Sequence, residues 1–272
     1  MNFSVLISIY KKEKPEYFEE CLISLLKSSV LPSEIVIVKD GELTEALEAV
    51  LNKYAEQTGL LKIVSLEKNC GLGIALNEGL KYCANELVAR MDTDDICAKD
   101  RFEMQLKAFE SNDDVSLVGG NITEFIDSPT NIVSTRRVPN DFESLKKYAK
   151  KRNPVNHVTV MFRKSDIIGV GGYQKVKDVG YEDYDLWIRL IINNKKILNL
   201  DEVFVNVRVG KDMYKRRGNK KRLRTALFFR RKLWEIGYYS FFHYLLYSIA
   251  TIIFCLIPTF MRKWMYARIL RK

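Results

Sequence analysis

Apolar, β-branched runs alternate with helix-spaced segments through roughly the first ninety residues, and this alternation constrains the fold more than any other feature of the chain. Residues 5–9, 34–38, 61–66 and 87–91 read as strands, while 15–29, 44–57 and 74–83 carry apolar residues at helical spacing. Such a pattern predicts a parallel-type α/β sheet covered by helices. Ligands of these sheets lie beyond the carboxyl ends of the strands, so the residues after each apolar run are the first candidates for chemistry. They are Lys39-Asp40-Gly41 after the second run, Glu67-Lys68-Asn69 and the Gly71-Leu72-Gly73 turn after the third, and Asp92-Thr93-Asp94-Asp95 after the fourth.

Further along, the pattern loosens. A helix over 101–111 precedes short strands at 115–118, 121–125 and 132–137, a helix over 141–151 and a strand over 158–162. Gly169, Gly171 and Gly172 then lead to an amphipathic helix over 181–193 and a strand pair near 197–209. This half is expected to be mixed rather than parallel, without internal repeats or a low-complexity linker.

With 272 residues, 47% of them hydrophobic, the chain can bury a substantial core and reads as one large domain with an appendage. The formal charge of +10 is concentrated in the tail. From Lys211 onward sixteen Lys or Arg stand against two acids, Asp212 and Glu235, whereas the preceding body is slightly acidic. The tail is therefore the part that seeks anionic partners, whether lipid headgroups, a phosphorylated acceptor or nucleic acid. The five cysteines are scattered and show no metal-ligand spacing, and no basic n-region precedes the first strand, so a reduced, cytosolic catalytic body is expected.

Asp92, Asp94 and Asp95 crowd the end of an apolar strand, where their mutual repulsion is costly unless a cation is shared. Hard oxygen ligands suit Mg²⁺ or Mn²⁺, either of which also grips a diphosphate. The competing reading is a solvated turn with Asp95 as a helix N-cap. Glu182-Asp183-Tyr184-Asp185 opens a later helix, and these acids could equally serve only to complement its dipole.

Taken together, Val5 to Tyr10, Lys39-Asp40-Gly41, the stretch from Asn69 through Gly71, Gly73 and Asn77 to Gly79, Ala89 to Phe102, and Glu182 to Leu190 resemble the family 2 glycosyltransferases. The likeness covers about residues 1–215. It implies a GT-A fold: a Rossmann-like nucleotide-binding sheet (α/β), a mixed acceptor-side half, and here a helical, membrane-associated tail over 216–272. It implies an inverting enzyme that moves a hexose or N-acetylhexosamine from a UDP-sugar to a membrane-borne saccharide. By the same resemblance Ser8, Tyr10, Asp40, Asn69, Gly73, Asn77, Arg90, Asp92, Thr93 and Asp94 would bind the nucleotide-sugar. Asp94 and Asp92 would hold Mn²⁺ or Mg²⁺, with Asp94 the direct ligand, and Asp183 would be the catalytic base. Lys39 stands where family members often carry a second acid. Glu182, His157, Arg208, Arg216 and Arg217 are candidates for the acceptor or phosphate side. For the three arginines the alternative is a basic surface facing the membrane, and for His157 a structural role.

In the tail, residues 241–257 are nearly all apolar, just long enough to span a bilayer. Basic clusters flank them on both sides, which favours an in-plane or re-entrant segment over a single crossing or a buried helix. An undecaprenyl-diphosphate-linked saccharide, met at the cytoplasmic face of a bacterial inner membrane, is the acceptor this reading implies. Two rivals are weaker. A metal-dependent nucleotidyltransferase would show a glycine-rich phosphate loop near the N-terminus, and residues 8–14 lack the glycines. A nucleic-acid-binding protein would need a soluble basic tail, so nucleic acid is not an expected partner.

Overall fold

A computed structural model describes residues 1–174, 176, 180–210, 220–258 and 261. The first half consists of β1 (Phe3–Ile9), α1 (Pro15–Leu26), β2 (Glu34–Asp40), α2 (Glu45–Thr58), β3 (Leu61–Leu66), α3 (Leu72–Tyr82) and β4 (Leu87–Met91). After β5 (Ile96–Cys97) and α4 (Arg101–Glu110) come β6 (Val115–Phe125), β7 (Ile132–Arg136), α5 (Phe142–Ala149), a 3₁₀ turn at His157–Thr159 and β8 (Met161–Arg163). The described chain ends with α6 (Lys164–Gly169), α7 (Glu182–Ile192), β9 (Lys196–Arg208), α8 (Lys220–Glu235) and α9 (Phe241–Leu256).

All strands join one sheet, in the order β3-β2-β1-β4-β8-β6-β9-β5, with β7 on β6. The first four neighbours are parallel, as the alternation predicts. Beyond them β8 runs antiparallel to both β4 and β6, and β9 returns parallel to β6. Direction therefore reverses next to β4, the strand that ends in the aspartates, and a crevice opens there.

Both faces of the sheet are covered, which is why its central strands are continuous apolar runs. Val5, Ile7, Ile9, Ile35 and Ile37 pack under Phe18, Leu22, Leu51, Phe102 and Phe109 of α1, α2 and α4. On the other face Leu6, Val36 and Val38 pack under Leu76 and Leu80 of α3, in a core continued by Leu145, Leu186, Trp187 and Phe229. Gly79 sets the closeness of α3: a Cβ there would lie 2.4 Å from Leu6 Cδ1 and 2.6 Å from Val38 Cγ2.

Three expectations are corrected. The strands expected at 115–118 and 121–125 are one strand, β6, whose register against β9 shifts between Gly119 and Asn121. The two glycines mark crowding rather than a break, since Asn199 Oδ1 and Phe204 Cδ2 stand 2.5 and 2.4 Å from where their Cβ atoms would be. The strand pair near 197–209 is the single long β9. The strand at 158–162 begins instead as the 3₁₀ turn, held by Thr159 Oγ1 donating to the Asn156 carbonyl at 2.7 Å, and only then enters β8.

The predicted boundary between catalytic body and tail, at residues 215 and 216, lies outside the described residues. The first helix beyond it, α8, is nonetheless built into the body: Thr225, Ala226, Phe229 and Leu233 are buried, and the Phe229 ring lies 5.0 Å from those of both Tyr181 and Tyr184. By contrast α9 leaves Phe241, Phe242, Leu245, Leu246, Ile249, Ile252, Ile253 and Leu256 exposed. Among the described residues no helix is long and apolar enough to cross a membrane.

Candidate active site

The crevice is a cleft of about 400 Å³ at the carboxyl end of β4. Arg90, Asp92 and Asp95 line it from that strand and the turn after it, Glu182 and Asp183 from the start of α7, and His157, Arg136 and Arg208 from the mixed half. Acids roughly ninety residues apart in sequence thus share one cavity.

Arg90 is buried within β4 and grips Asp92 through both guanidinium nitrogens, with Nη1 2.6 Å from Oδ2. Asp95 is buried beside it and accepts from the Arg208 backbone N–H at 2.9 Å, so β9 is tied to the aspartate turn. Arg208 also donates from Nε to the Asp94 carbonyl at 3.2 Å, pairs with Glu20, and lies flat over the Tyr17 ring at 3.9 Å. Burial, then the neighbouring Asp92, pushes the Asp94 carboxyl up from its ordinary value. Asp95 is pushed well up by burial and by both neighbouring aspartates. A further acid joins them: Glu13, from the turn after β1, is pushed up to about 7 by burial and by Asp94 and Asp92. Sequence reading passed over Glu13, although it stands after a parallel strand where ligand-binding residues were sought; beyond Tyr10 the segment was read for its lack of glycines.

Four carboxylates crowded against limited positive charge are a hard-oxygen donor set short of a cation. Among the described residues no three His, Cys, Asp or Glu side chains converge tightly enough to enclose a metal alone. A Mg²⁺-type ion, which needs only one or two protein carboxylates, would suit the donor chemistry of these acids. Asp92 is engaged by Arg90, so Asp94 would be the carboxylate available to such an ion.

Across the cleft, Tyr181 caps α7 in the left-handed region (φ 71°) and directs the next two acids inward. Asp183 Oδ2 accepts from Asn153 Nδ2 at 2.6 Å, and Oδ1 accepts from the Tyr184 N–H at 2.7 Å. Burial raises its pKa; burial followed by the Asp183 charge raises that of Glu182. His157 is held by Tyr173, Nε2 to Oη 2.9 Å, and stands edge-on to Trp187. Burial and the nearby Arg90 charge push its pKa well down, so it is a neutral imidazole at physiological pH.

The remaining predicted residues do not line the cleft itself. Asp40 at the end of β2 accepts from Asn69 Nδ2 (3.0 Å), the Cys70 N–H (2.6 Å) and the Gly71 N–H (3.0 Å), so its carboxylate holds the loop leading into α3. Gly41 permits this close approach: its φ is +86°, and a Cβ would fall 2.7 Å from the Asn69 nitrogen. Asn77 Oδ1 accepts from the Tyr173 N–H at 2.8 Å and its Nδ2 donates back to the Tyr173 carbonyl, which spends its amide on the backbone. A Cβ at Gly73, in the first turn of α3, would lie 3.6 Å from the Cβ atoms of Glu182 and Tyr173. Thr93 is buried between the aspartates, while Ser8 and the more exposed Tyr10 sit at the carboxyl end of β1. Arg216 and Arg217 lie outside the described residues.

Residues 4–168 match the family model described as glycosyl transferase family 2. The chain is 45% identical over 217 residues to the amylovoran biosynthesis glycosyltransferase AmsE of Erwinia amylovora, covering 79% of this chain and 80% of that protein. It is 36% identical over 271 residues to the UDP-Gal:alpha-D-GlcNAc-diphosphoundecaprenol beta-1,3-galactosyltransferase of Escherichia coli, covering 100% of this chain and 97% of that one. Among solved structures, TarS 1-349 of S. aureus in complex with UDP-GlcNAc superposes with a TM-score of 0.64 at 20% identity, over 86% of this chain and 66% of that one. The mannosyltransferase PcManGT of Pyrobaculum calidifontis, in complex with GDP-Man and Mn2+, gives 0.64 at 19% identity, over 86% and 64%.

Proposed function

The chain belongs to glycosyl transferase family 2, and on that premise we propose that it moves a hexose or N-acetylhexosamine from a UDP-sugar onto an undecaprenyl-diphosphate-linked saccharide during assembly of a surface polysaccharide. The observation that carries this reading is the meeting of Asp92 and Asp95 with Glu182 and Asp183 in one cleft at the carboxyl end of the parallel strands. The relative similar along the whole chain supports the choice of a lipid-diphosphate acceptor and a UDP donor.

Breaking the bond between an anomeric carbon and a diphosphate puts negative charge on the leaving group and positive character on the ring. Asp94, with Asp92 beside it, would hold a Mn²⁺ or Mg²⁺ ion, which would neutralise that leaving charge when bound. Asp183 performs the proton step. The acceptor hydroxyl is a weak nucleophile at neutral pH, and a carboxylate within hydrogen-bond reach takes its proton as the new bond forms. Asn153 and the Tyr184 N–H fix the orientation of that carboxylate. A single displacement from the face opposite the diphosphate inverts the anomeric centre, so an α-linked donor gives a β-linked product. On the acceptor side, Glu182 and the neutral His157 offer a hydrogen-bond acceptor and a donor to sugar hydroxyls. The acceptor's lipid places this chemistry at the cytoplasmic face of the membrane, with α9 as the contact.

The test is a panel of UDP-, GDP- and dTDP-sugars with Mn²⁺ and a synthetic lipid-diphosphate saccharide. Consumption of a UDP-hexose with an inverted product is expected, and turnover that ignores the acceptor or prefers another nucleotide would overturn the assignment. Asp94→Ala is expected to abolish transfer and weaken UDP binding; undiminished activity in EDTA would contradict the metal role.

A further inference from the structure

A second cleft, of about 380 Å³, lies between α5 and the C-terminal helices, and the chemistry described so far makes no use of it. Its wall is a row of four lysines, Lys146, Lys147, Lys150 and Lys151, facing Tyr238 and Tyr247. Lys146 pairs with Glu143 at 2.5 Å, and among the described residues the other three lysines form no ion pair. Glu143 lines the same cavity and offsets Lys146, which leaves an excess of three like charges that repel one another, so the site is preorganised for an anion. The row is fixed to its surroundings: Tyr239 Oη donates to the Lys150 carbonyl at 2.6 Å, and Tyr238 Oη to that of Lys146 at 3.4 Å.

The cleft is continuous with α9, which contributes Tyr247 to its lining and turns eight large apolar side chains to solvent. A cationic cavity bordered by an exposed apolar helix, with Trp234 and Tyr244 stacked at that helix's start, has the pattern of an element lying in a membrane interface. Resting on the membrane-bound acceptor proposed above, we propose that this cleft seats the phosphate of an anionic lipid headgroup, so that α5 and α9 dock together on an anionic bilayer. The same segment leads directly to Asn153, which holds Asp183, and Tyr184 Oη donates to the Ala149 carbonyl at 2.7 Å. Docking at α5 therefore fixes the height of the acceptor side of the active site above the lipid.

The experiment is co-sedimentation of the full chain with vesicles of phosphatidylcholine alone or with added phosphatidylglycerol. Comparison is made among the unaltered protein, K146Q/K147Q/K150Q/K151Q, and a control, K53Q/K62Q/K81Q/K107Q, that removes four exposed lysines elsewhere. Each lysine near an anionic surface is worth roughly fivefold in binding, so the cleft variant should lose roughly several hundredfold on anionic vesicles while the control loses little. The unfolding midpoint is read for each variant, and an unchanged value shows that lost binding is not lost folding. Equal losses in cleft variant and control, or full retention by the cleft variant, would overturn the site. A concentration-dependent dimer that hides α9 would overturn it in favour of a second copy as occupant. No vesicle binding by the unaltered chain would remove the membrane contact and this site with it, and leave transfer to a soluble acceptor analogue untouched.

Discussion

Two carboxyls raised by burial, Asp183 and Glu13, leave opposite marks on pH behaviour. A base must be ionised, so turnover should fall as pH drops through the raised pKa of Asp183, an acid limb displaced upward from that of an ordinary aspartate. Asp183→Asn should remove that limb with the activity, lowering kcat by about 10²–10⁴-fold and leaving UDP affinity by titration calorimetry unchanged. An unaltered rate would exclude Asp183 as the base. Glu13 acts on stability. Its folded pKa of about 7 lies above the ordinary 4.5, so the folded state favours the protonated form. That contribution is complete below about 4.5 and disappears as pH rises through 7. The metal-free unfolding midpoint should therefore decline across this window, and Glu13→Gln should flatten the decline. A slope unaffected by the substitution would place the charge strain elsewhere.

The elements legible in the sequence were those whose cause is local. Strands β1 to β4 and helices α1 to α3 announce themselves because burial on both faces demands unbroken apolar runs and helical spacing, and the aspartates of the Asp92 turn are visible at a strand's end. Elements created by pairing are not. The two residues of β5 become a strand only because Ile96 and Cys97 meet Asn206 and Val205 of β9, far along the chain. Glu13 and Asn153 belong to the site because the topology brings their loops beside Asp94 and Asp183, a convergence that no spacing records. Glycines show the same limit: Gly79 closed a stretch read for its family resemblance, and Gly119 and Gly120 fell between the strands expected at 115–118 and 121–125, yet each stands where a neighbour's side chain fills the Cβ position. Gly79→Ala tests this at the α3 interface. It must displace Leu6 and Val38 and should cost about 1–3 kcal/mol in chemical denaturation, despite alanine's better helix propensity. A neutral or stabilising result would mean that α3 sits more loosely on the sheet than its distances state.

For the whole molecule the decisive question is where the catalytic body ends. The change in charge near Lys211 suggests a tail of uniform character, but α8 and α9 do different work. Lys232 of α8 reaches the buried Asp185 at 2.5 Å, and Arg189 holds its other oxygen at 2.9 Å, next to the helix start that carries Asp183. Phe229 and Leu233 close the core beneath that helix, each contributing roughly 1.5–3 kcal/mol by burial. A cut after Asn219 removes these contacts together and leaves Asp185 short of a partner, a loss comparable to the whole stability of an ordinary domain. The expected product is misfolded and insoluble. A cut after Tyr239 keeps α8 and the buried Tyr239 ring and removes residues 240–272: α9, whose large apolar side chains face outward and whose ties to the body include Tyr244 on Trp234, Tyr247 on Tyr239 and Thr251 on Arg230, and the basic residues that follow it. That shorter chain should keep its unfolding midpoint within a few degrees and its turnover on a short soluble acceptor. In cell fractionation it should pass from the membrane pellet to the supernatant. Retention in the pellet would transfer the membrane contact from α9 to the basic residues that precede it.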